Sequence, residues 1–257
     1  MATLLSSPLH ATGPTDRRPV LVVEGAIGPD LAAQCRTLSL DVVIAGQPVP
    51  PLAACILAGS ATAGSVRAGL APPYCGFIEL GPEGIVGIGM RCLETARAGG
   101  LTLSLQTITA YRLETLEYLV EAIRGYISEM TAESAELMDI SLAEAISNAV
   151  IHGNLGIPSH LRTTTEGFAQ FQRLLHKRMA DPVVAGRRLE INIAPRSKDL
   201  IMVAVSDQGA GFDLAKKLEH TAAATAKNGR GLNLIRRATQ TVHGEDGGRT
   251  LVMTFAR

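Results

Sequence analysis

The hydrophobic period of this chain changes at Gln106, and that change limits the layers it can build. Leu101, Leu103 and Leu105 alternate with Thr102, Ser104 and Gln106, the period-two pattern of a half-buried strand. Beyond them Leu113, Leu116, Val120, Ile123, Ile127 and Met130 recur at spacings of three and four, which predicts one long amphipathic helix over 112–130. A second helix is expected from Thr131–Ser134, where a threonine followed by acidic residues suits an N-terminus, through Leu137, Leu142, Ile146 and Val150 to Gly153. Leu189–Ile193 and Leu200–Val205 read as paired strands joined by a turn at Pro195–Lys198, and a last helix, Gly231–Thr241, precedes a closing strand, Thr250–Phe255. Helices that lie between strands of one apolar face imply an α/β protein.

The residues before this region read differently. Met1–Arg18 are rich in Ser, Thr, Pro and Gly and are expected to be a disordered lead-in. Val20–Val23, a helix over Asp30–Leu38 and Val42–Ile44 make a β-α-β start, after which the Gly-, Pro- and Ala-dense stretch Gly46–Gly99 loses its periodicity. The expected organisation is therefore a small α/β domain over 19–99 and a larger domain over 100–257. The larger one would be a two-layer α/β sandwich whose mostly antiparallel sheet is covered by helices on one face. Residues 157–188 form an insertion in it, with a helix over Phe168–Met179.

With 24 basic and 24 acidic residues and a pI near 7.0, no global field draws this chain to nucleic acid or anionic lipid. No window approaches a membrane span and the N-terminus lacks a basic, apolar leader, so a soluble cytoplasmic protein is expected. The cysteines Cys35, Cys55, Cys75 and Cys92 show no Cys-x-x-Cys spacing, which favours reduced thiols over zinc.

Three motifs carry chemistry. Glu144 and Asn148 stand four apart on the second helix and His152 four further, which predicts one polar stripe opposite Leu142, Ile146 and Val150. Asn148 can offer a neutral oxygen to magnesium and Glu144 can accept a proton, although such a stripe is equally the pattern of a solvated face. Asp207-Gln208-Gly209-Ala210-Gly211-Phe212 follows a strand; the glycines let the chain pass close to a ligand, and an ordinary tight turn would look the same. Asn228-Gly229-Arg230-Gly231-Leu232 opens the last helix, where free backbone N–H groups suit phosphate and Arg230 can add charge.

In this order and spacing the three motifs resemble the Bergerat-type (GHKL) ATPases, over about 155 residues. The wording of Leu142–Asn154 most resembles the anti-sigma-factor serine/threonine kinases of the histidine-kinase-like group. The resemblance implies ATP and magnesium as ligands, with Asn148 binding magnesium and Glu144 as general base. It implies that Asp207 holds the adenine amino group and that Gly209, Gly211, Gly229 and Gly231 hinge the nucleotide lid. Phe212, Arg230 and Leu232 would complete these loops, His152 would join the nucleotide site, and Thr250 would support the adenine. Lys216, Lys217 and Lys227 of the lid can meet phosphates or solvent. The implied partner is a regulatory protein, an antagonist protein or a sigma factor, and a homodimer is compatible with the family. An ATP-gated interaction module without turnover is the alternative. A sensor histidine kinase is disfavoured because 112–130 contains no histidine. The start Val20-Leu21-Val22-Val23-Glu24 faintly resembles a response-regulator receiver, but no phosphate-accepting aspartate is evident at the end of a third strand, so a phosphorylation-independent input or docking role is expected.

Overall fold

The computed structural model describes residues 17–113, 115–127, 130–162, 164–214, 216–217 and 230–257; the expected lead-in therefore lies almost wholly outside the described residues. A single nine-stranded sheet runs through the chain in the order β2-β1-β3-β4-β5-β6-β7-β9-β8. Its strands are β1 Pro19–Val23, β2 Asp41–Ile44, β3 Ala54–Gly59, β4 Gly76–Glu79, β5 Leu101–Gln106, β6 Arg188–Pro195, β7 Leu200–Ser206, β8 Thr241–Glu245 and β9 Thr250–Ala256. The first five pair in parallel, with the order 2-1-3-4-5 of doubly wound sheets. The remainder is antiparallel.

Strand β5 belongs to both patterns. It pairs in parallel with β4 through Phe77↔Leu103 and antiparallel with β6 through Leu103↔Ile191. Its period-two pattern explains how: Leu101, Leu103 and Leu105 enter the large core with Leu189, Ile191, Ile193, Val203 and Met253, while Thr102 and Ser104 turn to the reverse face, also buried. Thr102 there donates to Asn192 (2.8 Å).

The helices of the large core are α2 Ala63–Gly69, α4 Thr107–Arg112, α5 Thr115–Tyr126, α6 Ala132–Ser147, α7 Thr165–Met179, α8 Pro182–Ala185 and α9 Arg230–Ala238. On the reverse face α1 Pro29–Thr37 and α3 Met90–Arg97 cover a second core containing Leu21, Ile56, Ile78 and Leu93. Helix α3 also packs against β5 and β6, so it bridges the parallel and antiparallel parts. At the end of β3 stand Gly59 and Ser60, and a Cβ on Gly59 would come 2.7 Å from Glu24 Oε2.

The helix expected over 112–130 is the shorter α5, Thr115–Tyr126, and a separate helix, α4, ends where it was expected to begin. Leu113 is extended (φ −81°, ψ 150°) and ends α4, and the buried Thr115 hydroxyl turns back onto the Ala110 carbonyl (3.3 Å). The apolar spacing continues across this corner because α4 and α5 both face the core, so periodicity alone does not reveal it. The last helix stops at Ala238 rather than Thr241, which opens β8 instead; β8 is an exposed edge strand without apolar alternation. The helix expected over 168–179 is α7, three residues longer and capped by the Thr164 hydroxyl on Gly167 N–H (3.0 Å). The cysteines are free thiols, and burial pushes Cys75 up to about 12. Among the described residues no helix is long and apolar enough to cross a membrane.

Arg188 joins the two parts of the sheet at its reverse face. Only 3% exposed, it donates to the carbonyls of Val86 (2.9 Å), Glu79 (3.1 Å) and Gly84 (3.2 Å) and to Ser104 Oγ (3.2 Å). The carboxylates of Glu79 and Glu190 lie close enough to oppose the cost of burying its charge. Removing one member of a buried charge cluster leaves the others uncompensated, so Arg188→Ala is expected to lower the free energy of unfolding by about 3 kcal/mol. Urea denaturation of the full chain checks this.

Candidate functional site

Helix α6 starts at Thr131, whose hydroxyl accepts from Ser134 N–H (3.2 Å), and buries Met138, Leu142, Ala145 and Ile146 against the sheet. Glu144 lies on its flank, half-buried. At Asn148 the helix widens into a π-helical turn, Asn148–Asn154. The sequence supplies a reason: Ala149, Val150 and Ile151 are consecutive and all buried, more than an α-helical stripe can turn inward, and the wider turn brings them together. π-turns of this kind recur at functional sites.

The widening removes His152 from the expected stripe. Its Nδ1 pairs with the Ile157 carbonyl, tying down the end of the turn. Glu144 precedes the widening and Asn148 begins it, and because the Asn148 N–H still reaches the Glu144 carbonyl the two keep the expected one-turn relationship. Neither side chain makes a hydrogen bond among the described residues, and both are half-buried.

Two glycines meet at the end of the turn. A Cβ on Gly153 would fall 2.3 Å from Asp207 Cγ, and one on Gly209 would fall 2.2 Å from the Gly153 carbonyl oxygen. The Asp207 loop therefore packs directly on the π-turn. Asn154, fully buried, locks it there: its Oδ1 accepts from Gln208 N–H (2.7 Å) and its Nδ2 donates to the Arg188 carbonyl (3.0 Å). Asp207 continues the β7–β9 ladder by donating its N–H to the Arg249 carbonyl (2.9 Å), and its Oδ1 accepts from Gly209 N–H (2.8 Å). Burial pushes its carboxyl up to about 6, against the opposing pull of the Gly209 N–H, Arg249 and Arg187.

Gly211 has φ +74°, and a Cβ there would meet the Gly247 carbonyl oxygen at 2.3 Å, so this glycine is required by both conformation and space. Phe212 packs on the large core beneath the ammonium of Lys217, 4.2 Å from its ring centroid. Across the site, Gly231 in the first turn of α9 leaves room for Glu144: a Cβ would lie 2.2 Å from Glu144 Oε2. Leu232 packs half-buried on the core. Gly229, Asn228, Lys227 and the Arg230 side chain lie outside the described residues.

The structure thus brings Gly231 against Glu144 and the Asp207–Gly209 loop against Gly153, at two places along α6 and its π-turn, with Asn148 between them in the chain. Thr250 borders one cavity together with Asp207, but its side chain is on the other face of the sheet. Leu251 points into the large core, so Thr250 projects to the reverse face, where its hydroxyl donates to Asp246 Oδ2 (2.7 Å) and pairs with Ser206 Oγ (2.9 Å). Strand alternation decides this. Gly153, Asn154 and Gln208 position the Asp207 loop and were not singled out for that role; the sequence signal for Asn154 was a polar residue at the helix end.

The groups present suit a magnesium nucleotide. Asn148 supplies one neutral oxygen, and no cluster of three or more His, Cys, Asp or Glu side chains able to hold a metal occurs among the described residues. Magnesium bound here would take its remaining ligands from phosphate oxygens and water, its usual habit with nucleotides. The backbone of Gly231, without a Cβ, opens the helix start where phosphates are favoured.

Residues 109–255 match the family model described as histidine kinase-like ATPase domain. A search among curated proteins finds no match.

Two outcomes are expected. Gly153→Ala forces a Cβ onto the Asp207 carboxylate and should weaken adenine-nucleotide binding at least about tenfold, measured by calorimetric titration. Asp207, raised from its ordinary 3.8 to about 6, holds its proton more tightly folded than unfolded. Its contribution to stability is therefore fully present below pH 3.8 and is lost as pH rises to about 6. The difference in unfolding free energy between wild type and Asp207→Asn should change across that window and be flat above it.

Proposed function

Because the chain belongs to the histidine kinase-like ATPase domain family and so has an ATP-binding domain, we propose that it is an ATP- and magnesium-dependent serine/threonine protein kinase of the anti-sigma-factor type. One observation carries the reading: Gly231, at the start of the helix that favours phosphate, stands against the carboxylate of Glu144. This brings a proton acceptor beside the place where the γ-phosphate is expected.

In the proposed reaction Glu144 takes the proton from a serine or threonine hydroxyl of a partner protein. The hydroxyl oxygen forms its bond to the γ-phosphorus as the bond to the departing ADP oxygen breaks. The Asn148 oxygen orients the metal, which when bound neutralises developing charge on the phosphates. Asp207, ionised above pH 6, accepts the hydrogen bond of the adenine amino group and fixes the far end of the nucleotide. The partner would be an antagonist protein, with a second regulator such as a sigma factor held while the antagonist is absent; two copies of this chain are compatible with that arrangement.

A second reading rests on the insertion. Phe168 of α7 (53% exposed) and Val183 of α8 (75% exposed) present apolar side chains suited to protein contact, and α7 follows the π-turn through a short 3-10 helix, Ser159–Arg162. On this reading ATP occupancy alone gates partner binding.

The two readings separate in one experiment. Glu144→Gln should lower phosphotransfer by about a hundredfold or more while leaving ATP affinity within about twofold. Equal transfer by wild type and variant would defeat the kinase role. ATP-dependent partner binding without a phosphorylated product by mass spectrometry would favour gating. Asn148→Ala should abolish the magnesium dependence of ATP binding in either case.

A further inference from the structure

A cavity of about 530 Å³ opens on the reverse face of the sheet, opposite the stripe of Glu144 and Asn148. It is lined by Glu190, Ser206 and Thr250 of three neighbouring strands, by Arg91 and Glu94 of α3 and by Arg249, and Asp207 and Gln208 also border it, so it reaches the loop that carries Asp207. The volume is that of a small-molecule site. We propose that it binds a small hydroxylated organic anion, a phosphate ester or carboxylate carrying hydroxyl donors, and that its occupancy alters the affinity for ATP on the other face.

The anionic end follows from the donors left over. Arg249 uses only its Nε, on the Asp246 carbonyl (3.0 Å), so its terminal N–H groups make no hydrogen bond among the described residues. Arg91, half-buried, is held in place by Glu245. The backbone N–H groups of Met90 and Arg91 lie in the first turn of α3 and have no intrahelical acceptor. Arg91 and Arg249 thus bring two guanidinium groups to the cavity lining, beside a helix start whose Gly89 N–H is taken by Glu190.

The hydroxyls and carboxylates among these cations require donors from the ligand. The Thr250 hydroxyl gives its proton to Asp246 and can accept that of Ser206, so each oxygen keeps a lone pair for a further donor. Glu94 is exposed and adds a carboxylate. Glu190 accepts from Gly89 N–H (2.8 Å) and Ser104 Oγ (3.4 Å) and also from the Cys92 thiol, so it is held within the lining. A purely anionic ligand would meet these oxygens unfavourably, whereas hydroxyl groups satisfy them.

The route to the nucleotide face is Gln208. On the cavity rim it donates to the Gly87 carbonyl (2.8 Å), and its Oε1 accepts from Arg188 N–H (2.8 Å). Its backbone N–H is held by Asn154, and its neighbour is Asp207. A ligand that presses on this loop alters the loop that carries Asp207. The coupling rests on the nucleotide reading given above; the binding does not.

The test is calorimetric titration of the full chain with ribose 5-phosphate, gluconate and inorganic phosphate. Ribose 5-phosphate or gluconate is expected to bind with one-to-one stoichiometry, and Arg91→Gln to weaken it about tenfold or more. Met90→Trp, which fills the cavity from the exposed start of α3, should abolish binding while preserving the unfolding transition. The site is overturned if neither organic probe binds, or if both variants bind as wild type does. The hydroxyl requirement is overturned if inorganic phosphate binds as tightly as ribose 5-phosphate. Saturating organic probe should shift the ATP dissociation constant by about threefold or more; no shift overturns the coupling and leaves the site standing. A chain that binds the probe but never ATP refutes the nucleotide reading instead.

Discussion

Strand β5 is hydrogen-bonded along both edges, in parallel to β4 and antiparallel to β6, and the rest of the architecture follows from that position. A strand buried on both faces and paired on both edges cannot shift register without breaking two ladders at once. The five parallel strands and the four antiparallel ones therefore form one continuous sheet. Helix α3 reinforces the seam from the reverse face, with Arg188 and Glu190 beneath it. On the opposite face, Arg67 of α2 reaches Glu121 of α5 (3.0 Å) and lies over the Tyr118 ring. The first of these contacts is exposed and weak; the seam depends on the buried set.

The candidate site is assembled by absence of side chains as much as by their presence. Gly153 and Gly209 allow the Asp207 loop to touch the π-turn, Gly211 allows it to pass the β8–β9 turn, and Gly231 allows α9 to approach Glu144. Each is a place where one methyl group would displace a carbonyl or carboxylate. The same closeness that brings these elements together desolvates Asp207 and raises its pKa. Asn154 and Gln208 supply the directional bonds that keep the loop in register while the glycines supply the space.

Much of the site was legible because local spacing encodes it. Glu144 and Asn148 are neighbours on any α-helix, and an Asp-x-Gly-x-Gly loop after an apolar strand has few alternatives to a tight, close-approaching turn. His152 lies inside the π-turn, where the four-residue rule no longer fixes its side, because buried Ala149, Val150 and Ile151 favour a wider turn. The face that Thr250 takes is told only by register, and its register is set by pairing with Ser206 of β7, far away in the chain. Leu113 and β8 were hidden for related reasons: a corner between two helices packed on one core keeps the helical period, and an exposed edge strand has none.

The sequence by itself determined the elements with a strong period, the capping of α6 at Thr131, the glycines of the Asp207 loop and the pairing of Glu144 with Asn148, because these depend on residues within a few positions of one another. Tertiary structure alone decided that the two strand systems share β5, that Gly153 faces Asp207 and Gly231 faces Glu144, and that a second, polar cavity opens behind the sheet. Those are contacts between segments far apart in the chain. Their geometry is set by which surfaces must be buried together, and no local pattern carries that information.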